Sequence, residues 1–365
     1  MATRLERTLR NALKIAAAVF TVAAVSAAAT ETLANSPATI PFIPTGISQS
    51  ASSVGFADSD VYGMNADDIN HTFDLMSATG VRTVRIIIPW AGIEGTQGSF
   101  NWGQVDTVVG AANARHMSVV GAIVATPAWA VAPGAIPISS PPASAAVYGD
   151  FAGAVAAHYK GRVDAYEIWN EPNAVMSWTS GPQGPEPAVY ADMLKASYPK
   201  IKAADRGAVV IGGVVGAVVS FGSLTLDPVT FIQRMYAAGA AGSFDALSFH
   251  PYHYNLKFSA GAGVPNSPLS QTDGIHQAMA ANGDGGKKIW ATEYGEPNSA
   301  VDEATQADYI RDFLAKWRTL PYAGPSYIYT TRDRVTGSSN PEESIGVYRS
   351  DWTPKPAQAA VKAMT

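Results

Sequence analysis

No cysteine occurs in the 365 residues, which removes disulfides, thiolate-ligated zinc and thiol catalysis together. Charge is scarce as well: 15% of residues are Asp, Glu, Lys or Arg, against roughly 25% in ordinary soluble chains. The 25 basic and 30 acidic side chains leave a net charge of −5. That sign gives no basis for holding a polyanion, so no nucleic acid is expected as a partner. Beyond the first 34 residues no apolar run approaches the ~20 residues of a membrane span, so none is expected in the mature chain. What is abundant is hydrophobic, 47% of the chain, with 33 Gly and 24 Pro scattered without a repeat. A large packed core with many turns follows, and collagen-like or low-complexity readings do not.

Arg4, Arg7, Arg10 and Lys14 precede an uncharged run from Ile15 to Thr30, and small residues follow. That order marks residues 1–34 as a secretory signal peptide, with cleavage after Ala29 or Ala34 both fitting. An uncleaved anchor is the competing reading. The protein is accordingly expected to be secreted. Residues 35–52 read as an N-terminal extension and 53–365 as one domain. Asn70-His71-Thr72 matches a glycosylation sequon but falls in a helical segment.

Short apolar, β-branched runs alternate with segments of helical period. The runs are Ser53–Phe56, Thr83–Ile88, Ser118–Ala125, Ala165–Trp169, Val209–Val214, Ala246–Phe249, Lys288–Thr292 and Ser326–Thr330. The segments between and after them are Asp67–Ala78, Trp102–Arg115, Ala145–Lys160, Ala188–Ala204, Pro228–Ala238, Leu269–Asn282, Glu303–Leu320 and Pro356–Met364. Eight strands each followed by a helix predict an α/β fold, the (β/α)8 TIM barrel. An open doubly wound sheet shares the alternation, but no glycine fingerprint follows the first strand. Gly212–Gly216 reads as a tight loop.

In such a barrel the chemistry lies where strands end at their C-terminal side. The fourth run ends Glu167-Ile168-Trp169-Asn170-Glu171-Pro172-Asn173. A period of two puts Glu167, Trp169 and Glu171 on one side until Pro172 stops the ladder. Glu171 is then expected at the rim, desolvated beside Trp169 as a general acid requires. The seventh run ends Ala291-Thr292-Glu293-Tyr294-Gly295. Strands four and seven face each other across the mouth, so Glu171 and Glu293 form an opposed carboxyl pair suited to glycoside hydrolysis. A lone strand-end Glu is ordinarily a surface charge; two on one rim, each in an aromatic-rich motif, are not so easily dismissed. Glu167, mid-strand, is expected to pair inside the barrel, and Glu296, past the turn, to be exposed.

These residues carry a resemblance. Asn170-Glu171-Pro172, Glu293, Arg85 in Val84-Arg85-Ile86, and His250-Pro251-Tyr252 look like the clan A retaining glycoside hydrolases. Trp169-Asn170-Glu171-Pro172-Asn173, Thr126-Pro127-Ala128-Trp129 and Thr353-Pro354-Lys355-Pro356 look most like family 39 and its cellulase-like relatives, over roughly Val54 to Ala363. The resemblance implies Glu171 as acid/base and Glu293 as nucleophile, about 5 Å apart. It implies Asn170 on the sugar 2-hydroxyl, Arg85 forked onto Glu293, Tyr252 donating its phenol to Glu293, and His250 lining the pocket. Arg85 as a structural ion-pair partner and His250 as a core histidine are the bland alternatives. No cofactor and no metal are expected: His250-x-x-His253 lacks a third ligand motif.

Two departures stand out. Ala125-Thr126-Pro127 replaces the His common at the end of strand three. Tyr327-Ile328-Tyr329-Thr330-Thr331-Arg332-Asp333 replaces the Trp common after strand eight. Tyr329 would supply a smaller sugar platform, while Arg332 and Asp333 would place charge near the site, which suits an acidic, furanose or otherwise unusual sugar. Trp90, Trp129, Trp178, Tyr254 and Tyr294 are further candidate platforms for a carbohydrate. Trp178, in a polar Gly/Pro loop, is the foremost of them. A carbohydrate-binding barrel without catalysis, and an esterase lacking any G-x-S-x-G elbow, are the other classes considered.

Overall fold

A computed structural model describes residues 46–180 and 184–365. The expected signal peptide, residues 1–34, and most of the extension lie outside the described residues. Eight parallel strands close into a single barrel in chain order, β8 pairing back onto β1. They are β1 (Val54–Ala57), β2 (Thr83–Pro89), β3 (Ser118–Val124), β4 (Ala165–Ile168), β5 (Val209–Gly216), β6 (Ala246–His250), β7 (Ile289–Tyr294) and β8 (Ala323–Tyr329). The α/β alternation expected from the sequence is what the chain forms.

The helices begin where short polar side chains cap them. Asn65 accepts from the Asp68 amide, Asp227 from Thr230 and Asp302 from Thr305. Each satisfies an amide that the helix itself leaves unpaired, a contribution of about 1 kcal/mol. Ser267 does the same for Ser270, with Pro268 in the first turn, where its missing N–H costs nothing. A short helix, Trp90–Ile93, follows β2 directly; four residues are too few for a periodic signal.

Strand ends differ from the sequence reading for local reasons. β4 stops at Ile168 because Trp169 (φ 70°) and Glu171 (φ 44°) take left-handed backbone. The alternation expected through Glu171 therefore breaks. Gly212–Gly216 is not a loop: it is the second half of β5, bulged between Gly212 and Val215, with Gly213 at φ 77° and Val214 at φ 47°.

Inside the barrel, small and medium side chains from Ala57, Val120, Ala165, Ile211 and Ala246 pack with Trp290 and Tyr327. Ile47, ahead of β1, joins this cluster, and Gln49 accepts from the Trp290 indole at 3.1 Å. The small residues leave volume at mid-barrel for two ionic side chains, Arg85 and Glu167. A second, larger core lies between the strands and the surrounding helices.

Candidate active site

Arg85 is the hub. Its side chain is 2% exposed, and its three nitrogens reach three different acceptors: Nε to Glu167 at 2.6 Å, Nη1 to Glu293 at 2.6 Å and Nη2 to Asn170 Oδ1 at 2.7 Å. Burial opposes the guanidinium charge, but the carboxylates of Glu167 and Glu293 outweigh it, so Arg85 stays cationic. Glu167 thus pairs inside the barrel as expected. The fork onto Glu293 does not form: one nitrogen serves Glu293 and the others hold Glu167 on β4 and Asn170 just beyond it. Asn170, its oxygen taken by Arg85, keeps its amide N–H groups for a ligand.

Tyr252 donates to the other Glu293 oxygen at 2.9 Å. Burial, and then the Glu293 carboxylate, push the Tyr252 pKa well above its ordinary value, so the phenol keeps its proton. Fully buried His250 lies with Nδ1 3.0 Å from Glu171 Oε1 and 3.7 Å from Glu293 Oε2. Its Nε2 meets Thr292 Oγ1 at 3.0 Å, and Thr292 meets Ser248. Burial works against a charged imidazole, but Glu293 and Glu171 prevail and raise its pKa. His250 is therefore part of the site rather than a core histidine apart from it.

Glu171, His250 and Glu293 offer atoms within 4.8 Å of one another. Three such groups could hold a cation, but both Glu293 oxygens already accept from Arg85 and Tyr252. A guanidinium 2.6 Å away would also repel a metal. His253 is exposed and its Nδ1 accepts from the Asn255 amide. The two carboxyls stand close together, Glu293 accepting from Arg85 and Tyr252 and Glu171 lying beside an imidazole.

Several expected positions fall elsewhere. Trp169 does not desolvate Glu171; it packs on Tyr148 and Trp178 and donates to the Ser177 carbonyl. Trp178 is fully buried, edge-on to Trp169 at 5.8 Å and Tyr190 at 6.2 Å. Its loop folds back over the outer core, so it is no platform. Trp90 is buried against Phe151, and Tyr294 is buried and stacked 3.8 Å from Phe313. Trp129 is half-buried but donates to the Glu94 carbonyl and packs edge-on to Trp90. Tyr254 is half-buried beside Tyr252, 6.1 Å between rings. Glu296 is not exposed: neither oxygen has a hydrogen-bond partner among the described residues, and burial pushes its carboxyl up to about 8.

The charge beyond β8 is also arranged differently. The Arg332 guanidinium lies 3.8 Å over Trp352 and donates to the Ser350 carbonyl. Asp333 is buried in an ion pair with Lys355 at 2.7 Å. The cation beside Tyr329 is Arg334, which grips Asp60 through two bonds of 2.7 and 2.6 Å and lies 3.4 Å from the Tyr329 hydroxyl. Tyr329 itself ends β8 at the mouth, joined to Thr330 by a cis peptide. Glu342 completes this wall. Burial pushes its carboxyl up to about 8, with Glu293, Glu171 and Asp60 adding to the effect against Arg334. Asp60, Arg334 and Glu342 carried no motif in the sequence, because they come from loops after β1 and β8 that only ring closure brings together.

A family model described as Cellulase (glycosyl hydrolase family 5) matches residues 43–324. No curated protein matches the chain. Among solved structures, a family 39 glycoside hydrolase from the gut symbiont Bacteroides cellulosilyticus WH2 superposes with a TM-score of 0.67 at 22% identity, covering 87% of this chain and 63% of that one. GH5_18 from Streptomyces cattleya, solved with GlcNAc, gives 0.66 at 15% identity over 87% and 80% of the two chains. Exo-beta-1,4-mannosidase Op5Man5 from Opitutaceae bacterium strain TAV5 gives 0.64 at 15% identity over 89% and 62%. The chain thus spans less than two thirds of the first and third of these, and the likeness at such identities is one of fold.

Proposed function

The chain belongs to the cellulase family, glycosyl hydrolase family 5, and on that footing we propose that it is a secreted retaining enzyme working by double displacement. Its substrate is the O-glycosidic bond of a polysaccharide or glycoconjugate. The observation that carries this reading is the opposed pair itself, Glu171 and Glu293 with His250 between them, reactive atoms within 4.8 Å. Retention calls for carboxyls roughly 5 Å apart and inversion for about 6.5–9.5 Å, so this close approach supports retention.

Glu293, its oxygens accepting from Arg85 and Tyr252, attacks the anomeric carbon. As the C–O bond breaks, Glu171 gives its proton to the departing oxygen. The resulting glycosyl ester is hydrolysed when Glu171 takes a proton from water and the new hydroxide oxygen displaces Glu293. His250, within reach of Glu171 Oε1, orients the carboxyl that loses and regains the proton. The Asn170 amide is placed to donate to the sugar 2-hydroxyl, a bond that strengthens as positive charge develops.

Glu293→Ala, assayed on aryl glycosides and cell-wall glycans, should lose all turnover with an unchanged melting temperature. Full activity in that variant would remove the reading. Export is supported by the basic residues ahead of the Ile15–Thr30 run and is checked by N-terminal sequencing of protein recovered outside the cytoplasm. Among the described residues no helix is long and apolar enough to cross a membrane.

A further inference from the structure

The large hydrophobic side chains that are well exposed among the described residues share one address. Val219, Phe221 and Leu224, at 43%, 40% and 40% exposure, lie in the loop after β5. Phe100, Ile136, Val264 and Val335 lie in the loops after β2, β3, β6 and β8. All are therefore on loops at the catalytic face. Water-exposed apolar area confined to one face of a barrel marks a surface that meets an apolar ligand.

Four of the seven, Ile136, Val219, Phe221 and Leu224, lie on the loops after β3 and β5, the strands that flank β4 and Glu171. The β5 loop is tied to the segment just after Glu171: Ala174 bridges Thr225, and the Val175 amide donates to Leu224 at 2.8 Å. Leu226 returns a bond to Asn173 at 2.9 Å. Between the loops after β3 and β4 is a pocket of about 540 Å³, lined by apolar groups such as Ile136, Pro142 and Val189 and by Ser140, Ser180 and Glu186 at its polar edge. Across the mouth charged groups predominate, with Val335 in the loop after β8 the one well-exposed large hydrophobic side chain among the described residues there. The wall from the loops after β1 and β8 presents Asp60, Arg334, Glu342 and Tyr329, and β1 and β8 stand half a ring away from β4 and β5.

A glycosidase of the kind proposed above, on which this inference rests, protonates the leaving oxygen from Glu171, so the leaving group departs on the apolar side. We infer that the substrate is amphiphilic: a sugar held at the polar β1/β8 wall, joined to a lipid-like aglycone that lies over Val219, Phe221 and Leu224. Hydrolysis consumes one water, puts the Glu171 proton on the aglycone oxygen and releases an apolar alcohol and a free sugar. Over the β5 loop a further sugar would meet no hydrogen-bonding side chain at Val219, Phe221 or Leu224, and a ring only at Phe221, whereas an alkyl chain covers all three.

The test is a chain-length series. Methyl and octyl glycosides of glucose, mannose, galactose and xylose are assayed below the micelle-forming concentration, alongside the matching oligosaccharides. The octyl compound of the accepted sugar should have kcat/KM at least about 10-fold above the methyl one, since each covered methylene contributes to binding. In Phe221→Ser/Leu224→Ser, with folding checked by its melting curve, the octyl-to-methyl ratio should fall below about 3. Hydrolysis with no alkyl dependence, an unchanged ratio in the variant, or a preference for longer oligosaccharides over octyl glycosides would each overturn the inference and leave the glycosidase standing. If no glycoside is cleaved by the wild type, both fall.

Discussion

Gly216 stands against Glu171. A Cβ at this position would sit 2.9 Å from Glu171 Oε1 and 3.0 Å from its Cδ. The end of β5 is fixed there by Asn173, which accepts from the Gly216 amide and donates to its carbonyl, both at 2.9 Å. The N-E-P-N motif thus contains both Glu171 and the residue that presses a glycine strand against it.

Gly216→Ala should therefore move the Glu171 carboxyl by a few tenths of an ångström or more. Misplacement of a reacting group is costly, and a loss of roughly 10–100-fold in kcat/KM is expected. Circular dichroism melting should change little. Wild-type kinetics in this variant would show that the Glu171 position is not set by the close approach.

Arg85 holds Glu167, which is fully buried and has no other cation partner among the described residues. Arg85→Met leaves that carboxylate uncompensated, at a cost of about 3–5 kcal/mol in stability, read from denaturant unfolding. Adding Glu167→Gln should recover part of the stability and none of the activity, because Glu293 still lacks its partner. Recovery of both would place Arg85 outside the reaction.

Glu296 is the clearest source of pH-dependent stability. Its carboxyl is pushed up to about 8 in the fold, against an ordinary value of 4.5. Below that ordinary value both states are protonated and the contribution is fully present; as pH rises through 8 it is lost, because the unfolded chain ionises first. Glu342, also pushed up to about 8, acts in the same direction. Glu296→Gln should melt about 2–5 °C above wild type near pH 8.5 and within about 1 °C of it at pH 4. Parallel melting curves for the two proteins at both pH values would contradict this.

Trp178 is packed against Trp169 and Tyr190 rather than displayed. Trp178→Phe should cost about 1–3 kcal/mol through the cavity it leaves. The kcat/KM of the folded protein should stay within about 2-fold of wild type. A selective rise in KM with no loss of stability would return Trp178 to the sugar-binding surface.

The legible part of this protein was its periodic part. Alternating apolar runs and amphipathic segments identified β1 to β8 and the long helices to within a few residues, since burial of one face imposes a period whatever the neighbours are. Glu171 and Glu293 were legible because each is a charge placed at the end of an apolar strand, against a sparse charged background. Loop side chains have no such period. Trp178 looked solvent-facing because its neighbours are Gly, Pro and Ser, yet the loop folds it inward. Glu296 looked exposed because it follows a turn, and the chain beyond that turn covers it.

The order of strands and helices, and the two strand-end carboxyls, were determined by local pattern alone. Only tertiary structure decided what surrounds them: that Arg85 divides its three nitrogens among Glu167, Glu293 and Asn170, that Arg334 rather than Arg332 stands beside Tyr329, and that Glu342 joins the wall. Arg85 stands 82, 85 and 208 residues from Glu167, Asn170 and Glu293, and Arg334 stands 274 from the Asp60 that holds it, so these groups meet because the barrel closes. Electrostatic neighbours depend on distances in space, and closure sets those distances with no mark in the sequence.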